Sequence, residues 1–304
     1  MKLLKLSALL APMLQLSNIA YANDTKDILL YTPWIEEPGT RIMVDKLKEV
    51  SWDNHWNVNL VSDPVELGES LYAKSKPSAI VVNADPSSIE EYLMIAKEQG
   101  VPVVGMDSAQ SRYFVANITS DNTAMARETA AYLAKDMNFQ GEVVMVSYRA
   151  YPPVYERELA AKQEFKNHHQ IRVHSTLEPD VAKSDYQAFK QKLAKVLTAD
   201  SEGKIRGIWS AWDRPALVAA KAIDELGYSG RIKVVGIDGT APALEALQSS
   251  NSFIATSSQD LEGIAQQVAQ TVFQAMDGEI IEQQRIELPA QLRTKSDLLE
   301  DLSI

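Results

Sequence analysis

The sequence predicts an α/β protein made of two doubly wound parallel-sheet lobes, and three observations carry that prediction. Short β-branched runs alternate with amphipathic segments from residue 27 onward. The strand-like runs are continuously apolar instead of alternating, which implies burial on both faces between layers of helices. A chain of 304 residues with 45% hydrophobic content also exceeds what one core of ordinary size holds, so it divides in two.

The chain opens with a segment that does not belong to either lobe. Met1 to Lys5 is basic, Leu6 to Leu16 is mostly apolar, and Ala20-Tyr21-Ala22 has the small-x-small form of a signal-peptidase site. Residues 1–22 are therefore read as a cleaved signal peptide, with a mature chain in the periplasm. Cysteine is absent, so there is no disulfide, thiol nucleophile or lipidated cysteine. Loss of Lys2 and Lys5 takes the formal charge from −11 to −13, which opposes binding to nucleic acid or anionic lipid.

Strands are predicted at Asp27–Thr32, Val58–Val61, Ala79–Asn83, Val101–Asp107, Phe114–Asn117, Val143–Ser147, Ile171–Ser175, Gly207–Ser210, Lys233–Asp238 and Phe253–Ser257. Helices are predicted at Thr40–Val50, Ser88–Gln99, Thr123–Met137, Val154–Asn167, Ser184–Thr198, Pro215–Leu226, Ala241–Ser249 and Leu261–Met276. Ser87 with Glu90 has the form of a capping box, and Asp213 and Thr240 stand as caps ahead of Pro215 and Pro242. Gly100 and Gly227 mark helix ends. No Gly/Ser linker separates the lobes, so the chain crosses between them more than once.

The phrase "VVGMDSA" at 103–109 returns as "VVGIDGT" at 234–240, each time running an apolar strand into an aspartate. Ligands of open parallel sheets bind beyond the carboxyl ends of the strands, where Asp107, Asp238, Asn83 and Trp212 all fall. Each aspartate alone also suits a turn cap.

The order of "AIVVNADPSSIEEYLMIAKEQGVPVVGMDS", "ITSDNTAMARETAAYLAKDM" and "WDRPALVAAKAIDELGYSGRIKVVGIDGTAPALEALQSSNSFIATSSQDLEGIA" resembles the periplasmic sugar-binding proteins of the ribose-binding, repressor-like family. The resemblance covers residues 27–289 and is weak over 33–75. It implies the type I periplasmic binding protein fold, in which two lobes joined by a three-crossover hinge close on a small ligand. The lobes would comprise 23–120 plus 260–289 and 121–259 plus 290–304. Carried over position by position, it implies ligand contacts from Asn83, Asp107, Ser120 at the "SDN" crossover, Arg157 in "VYERELAA", Trp212 with the neighbouring Asp213, Asp238, and Gln259 at the third crossover.

The departures from the family bear on the ligand. Ser108 stands where sugar binders often have Arg, and Trp212 where they usually have Asn. The first loop, "TPWIEEPGT", offers one aromatic residue, Trp34, beside Glu36 and Glu37. Asp accepts paired hydroxyl protons, Arg offers a fork of donors, and Trp34 and Trp212 can cover the C–H face of a ring. Each Trp is equally a core residue by type. Carboxylates in excess of Arg157 would favour an amine-bearing ligand, while Glu36 and Glu37 also read as solvated.

The function implied is capture of a sugar or polyol by a monomer for the permease of an ABC transporter. The alternative is a periplasmic sensor that shows its closed form to a sensor kinase or chemoreceptor, a reading kept open by the atypical pocket and the acidic tail "KSDLLEDLSI". Enzyme readings lack G-x-G-x-x-G, P-loop and G-x-S-x-G motifs, and no cofactor is expected. His168, His169 and His174 fit no common metal spacing. Asp107 facing Asp238 is compatible with glycoside hydrolysis, although nothing in the sequence supplies an acid of raised pKa. The helix-turn-helix of the family's repressors is replaced by the signal segment.

Overall fold

The computed structural model describes residues 25–301 apart from 182, 184 and 185, so the residues expected to form a signal peptide and the last three residues of the acidic tail lie outside it. Two sheets of six strands organise the chain. The first lobe runs β1 (Lys26–Tyr31), α1 (Pro38–Asp53), β2 (Trp56–Val61), α2 (Pro64–Tyr72), β3 (Ala79–Val82), α3 (Glu90–Glu98), β4 (Val103–Met106) and β5 (Ala116–Ser120). The second runs α4 (Asn122–Asp136), β6 (Gln140–Val146), α5 (Pro152–Lys166), β7 (Gln170–Leu177), α6 (Gln187–Ala199), β8 (Ile205–Ser210), α7 (Asp213–Glu225), β9 (Lys233–Asp238), α8 (Ala241–Ser249) and β10 (Phe253–Ser258). The chain then returns through α9 (Leu261–Met276) and β11 (Arg285–Leu288) to the first lobe, and ends with β12 (Gln291–Thr294) and α10 (Lys295–Asp301) on the second.

The first sheet has the order β11-β5-β4-β3-β1-β2, parallel throughout. The second has the order β12-β10-β9-β8-β6-β7, parallel except for its β12 edge. The chain thus passes between sheets three times, after β5, after β10 and after β11. All four residues of β3 and all four of β4 are buried, as strands covered on both faces require. Helices flank both sheets, and the apolar residues gather into one cluster in the second lobe and two on either face of the first sheet.

Several expectations need correction. Ser87 and Glu90 form no capping box: Asp85 accepts from the Ser87 amide at 2.9 Å and opens a single 3-10 turn, and α3 starts without a side-chain cap. Neither Asp213 nor Thr240 caps the helix it precedes, because each is bonded to the other. The strand predicted at Phe114–Asn117 lies further on, at β5, since Phe114 belongs to a turn that packs its ring under the sheet. The helix expected from Ser184 begins at Gln187, with Ser184 itself outside the described residues. Helix α2 was not anticipated, although Asp63 accepts from the Val65 amide at 2.7 Å and Pro64 stands at its start. Gly100 and Gly227 do end helices, at φ of 71° and 74°. Trp56 is buried against Phe273, and Trp52 is exposed.

Candidate functional site

The carboxyl ends of β3 and β4 face those of β8 and β9 across the gap between the lobes. Both repeated phrases end there in an unusual backbone: Asp107 has φ of 46° and Asp238 has φ of 131°. Positive φ is uncommon for a residue with a Cβ and is retained where surrounding contacts hold it. At Asp107 the holding contact is Thr119, whose hydroxyl donates to Oδ1 at 2.6 Å. At Asp238 the amide of Gln259 donates to Oδ1 at 2.7 Å, and the following Gly239 takes φ of 70°, with no room for a Cβ beside Ser258.

Arg157, buried near the start of α5, joins these ends. Its Nη1 donates to Asp238 Oδ1 at 3.3 Å and to the Ala211 carbonyl at 2.9 Å, and its Nη2 donates to Gln259 Oε1 at 3.1 Å. Nε donates to Asn122 Oδ1 at 2.7 Å, and Asp107 Oδ2 lies 3.9 Å from Nη2. One guanidinium therefore faces two carboxylates, with Asp213 behind them. Burial pushes the Asp238 carboxyl up to about 8; repulsion from Asp213 and Asp107 adds to this, and Arg157 opposes it. The sequence carried no sign of such a raised acid.

These groups line a cavity of about 60 Å³ with Trp34, Glu37, Met43, Tyr148, Tyr151 and Trp212. Six of the nine sequence-derived positions line it: Trp34, Asp107, Arg157, Trp212, Asp238 and Gln259. The other three do not. Asp213 is turned inward, where the Thr240 amide (2.8 Å), the Thr240 hydroxyl (3.0 Å) and the Thr256 hydroxyl (2.7 Å) all donate to it. Ser120 is fully buried at the end of β5 and lines no part of the cavity. Asn83 sits behind Tyr151: it accepts from the Thr32 hydroxyl at 2.8 Å and donates to the Met106 carbonyl at 2.8 Å and to the Tyr151 hydroxyl at 2.9 Å.

Sequence reasoning missed the tyrosines and the role of Glu37. Trp34 meets Tyr148 edge-on at 5.6 Å and Tyr151 at 5.8 Å between ring centres. Glu37, at the cap of α1, is clasped from the second lobe: Trp212 Nε1 donates at 3.2 Å, the Tyr186 hydroxyl at 2.7 Å and Arg214 Nη1 at 3.2 Å. Arg214 also reaches the Glu36 carbonyl at 2.9 Å. Burial, with the Glu37 charge, drives the Tyr186 hydroxyl far from ionisation. The signal that pointed to Glu37 was its place in "EEPG", one residue before a helix-starting proline.

Among the described residues no group of three or more His, Cys, Asp or Glu is arranged to hold a metal ion. His174 instead meets Glu142 at 2.7 Å and His168 meets Glu164 at 3.2 Å. Nor, among those residues, is any helix long and apolar enough to cross a membrane.

No curated protein matches the sequence. An ABC transporter solute-binding protein from Agrobacterium vitis with bound allitol superposes with a TM-score of 0.81 at 23% identity, over 92% of this chain and 98% of that one. A solute-binding protein from Bacillus halodurans with bound myo-inositol gives 0.80 at 20% identity, over 92% and 98%. GanP, a glucose-galactose binding protein from Geobacillus stearothermophilus, gives 0.79 at 14% identity, over 90% and 99%. At such identities the likeness speaks for the fold, which is that of the type I periplasmic binding proteins. The family model described as the periplasmic binding protein domain matches residues 48–280, most of the chain, and the chain belongs to that family.

Proposed function

We propose that this protein captures a small polyhydroxylated ligand, a sugar or polyol, between its closing lobes and presents the closed form to the permease of an ABC transporter. The observation that carries this reading is the convergence of Asp107 and Trp34 from one lobe with Arg157, Trp212 and Asp238 from the other on one cavity. A ligand shifts a closing equilibrium only if it contacts both halves, and these residues supply contacts from both. The fold neighbours that hold allitol and myo-inositol support a hydroxyl-rich ligand.

Asp107 Oδ2 and Asp238 Oδ2 are acceptors suited to ligand hydroxyls, and Trp34 Nε1 is a buried donor with no partner among the described residues. A ligand hydroxyl placed on either carboxyl group replaces the water that burial removed, so a ligand lacking it leaves a desolvated polar group. In this reading the chain works as a periplasmic monomer after loss of residues 1–22. Its lobes are 23–120 with 260–289 and 121–259 with 290–304, a division supported by the pairing of β11 with β5 and of β12 with β10.

The protein binds without turnover. The fold neighbours are described as transporter components, and Asp238, whose carboxyl burial raises, is tied to Arg157 and Gln259 instead of standing free to protonate a leaving group. A thermal-shift screen over tetritols, pentoses, hexoses, polyols and amines tests the whole proposal, since a ligand of the folded form raises its Tm. At least one polyol is expected to raise Tm by several degrees, to lose that effect in Asp238→Ala, and to remain chemically unchanged on chromatography. A response confined to amines, or the appearance of hydrolysis products, would overturn it.

A further inference from the structure

The corner formed by the ends of β3 and β4 holds Asn83 and Asp107, yet the group that occupies it comes from the opposite lobe. The Tyr151 hydroxyl donates to the Asp107 carbonyl, accepts from Asn83 Nδ2 at 2.9 Å, and lies 3.4 Å from Asp107 Oδ2. Burial pushes its ionisation well above the ordinary tyrosine range, so it stays a neutral donor. Asn83 is thereby saturated: its carbonyl takes the Thr32 hydroxyl, and its amide serves Met106 and Tyr151.

The backbone fixes this arrangement. Tyr151 precedes Pro152 and Pro153, the first residues of α5, and it has φ of −116° and ψ of 107°. A residue before proline is biased toward the extended region, which disfavours retracting Tyr151 by winding α5 back one turn. Its ring is further held against Trp34. With the corner filled, the space left to a ligand lies between Asp107, Asp238 and the two tryptophans.

We propose that Tyr151 is a specificity-determining residue: in the closed protein it supplies one hydroxyl to the Asn83–Asp107 corner in place of the ligand, and so sets a size limit that disfavours hexoses against shorter polyols. This rests on the cleft being the ligand site. A ligand that fits then reaches Asp107 Oδ2, Asp238 and the Trp faces while Tyr151 stays in place. Because Tyr151 belongs to the second lobe, the corner is open to water when the lobes part and is capped only on closure.

The test is calorimetry of the wild-type protein, Tyr151→Ala and Tyr151→Phe against glycerol, erythritol, ribose, glucose and myo-inositol, with Tyr151→Leu in reserve should the alanine variant fail to fold. Wild type is expected to bind from the smaller group and to bind glucose and myo-inositol at least about tenfold more weakly. Tyr151→Ala should narrow or reverse that ratio. Tyr151→Phe, which keeps the ring, should keep the exclusion while weakening binding of the small ligand. If wild type takes glucose as tightly as erythritol or ribose, or if Tyr151→Ala leaves the ranking unchanged, the size limit is overturned while the cleft stands as the site. If neither wild type nor any variant binds any of these compounds, both readings fall together.

Discussion

Asp107 and Asp238 occupy the same place in the two lobes, and the repeated sequence phrase was their outward sign. The sequence showed that an apolar strand ended on a carboxylate, and the strand-end rule placed that carboxylate at the rim. It did not show that both would adopt positive φ, or that burial would push the Asp238 carboxyl up. Those depend on what packs around them from elsewhere in the chain. A carboxyl whose pKa is higher in the folded protein than in the unfolded chain binds a proton on folding. Its contribution to stability is full below the unfolded value near 3.8 and is lost as pH rises toward the folded value. Asp213, raised to about 6 by burial, acts in the same direction over the lower part of that range. Between pH 6 and 8, then, the Tm of the ligand-free protein should fall as pH rises. Asp238→Asn, neutral at every pH, should flatten that segment in scanning calorimetry. An equal slope in both proteins would mean that Asp238 is ionised at neutral pH after all.

Elements with a strong period were legible, and those that depend on a turn were not. Strands β3, β4, β8, β9 and β10 and helices α7, α8 and α9 carry enough apolar residues at one spacing for the sequence to place them. The short strands β11 and β12 are partly exposed edges without that density, and α2 shows only Leu67, Gly68 and Leu71 to the interior. Asp213 begins α7 beside Trp212, and its carboxylate binds the start of α8 and the middle of β10. It also leaves no space for a side chain at position 236, where a Cβ would lie 2.4 Å from Oδ1. Three neutral donors depend on it, so Asp213→Ala should cost about 1–3 kcal/mol by urea unfolding. Ligand affinity should change by less than about threefold, since residue 213 lines no part of the cavity. A large loss of affinity with unchanged stability would return Asp213 to the ligand's side.

For the whole molecule, the closed arrangement does not depend on a ligand alone. Glu37 of the first lobe is held by Trp212, Tyr186 and Arg214 of the second, and Arg285 of β11 reaches Glu156 of α5 at 3.2 Å on the same gap. Such contacts raise the fraction of empty protein that is closed, and apparent affinity scales with the fraction competent to bind. They also carry a penalty for the empty state, because closing buries Asp107 and Asp238 around one Arg157 with no ligand hydroxyls to meet them. The balance can be shifted without touching the site, because Tyr186 bonds Glu37 but lies outside the cavity lining. Removing its hydroxyl in Tyr186→Phe deletes one charged hydrogen bond, worth about 1.5–3 kcal/mol where the group left behind finds no water. Glu37 becomes solvated when the lobes part, so the effect falls toward the low end of that range. The radius of gyration of the ligand-free variant in small-angle scattering should rise toward that of an open form, and ligand affinity should fall by about tenfold. Saturating ligand should restore the wild-type radius. If the scattering curve stays that of wild type while affinity falls, Tyr186 acts on the ligand itself and the Glu37 contacts do not control closure.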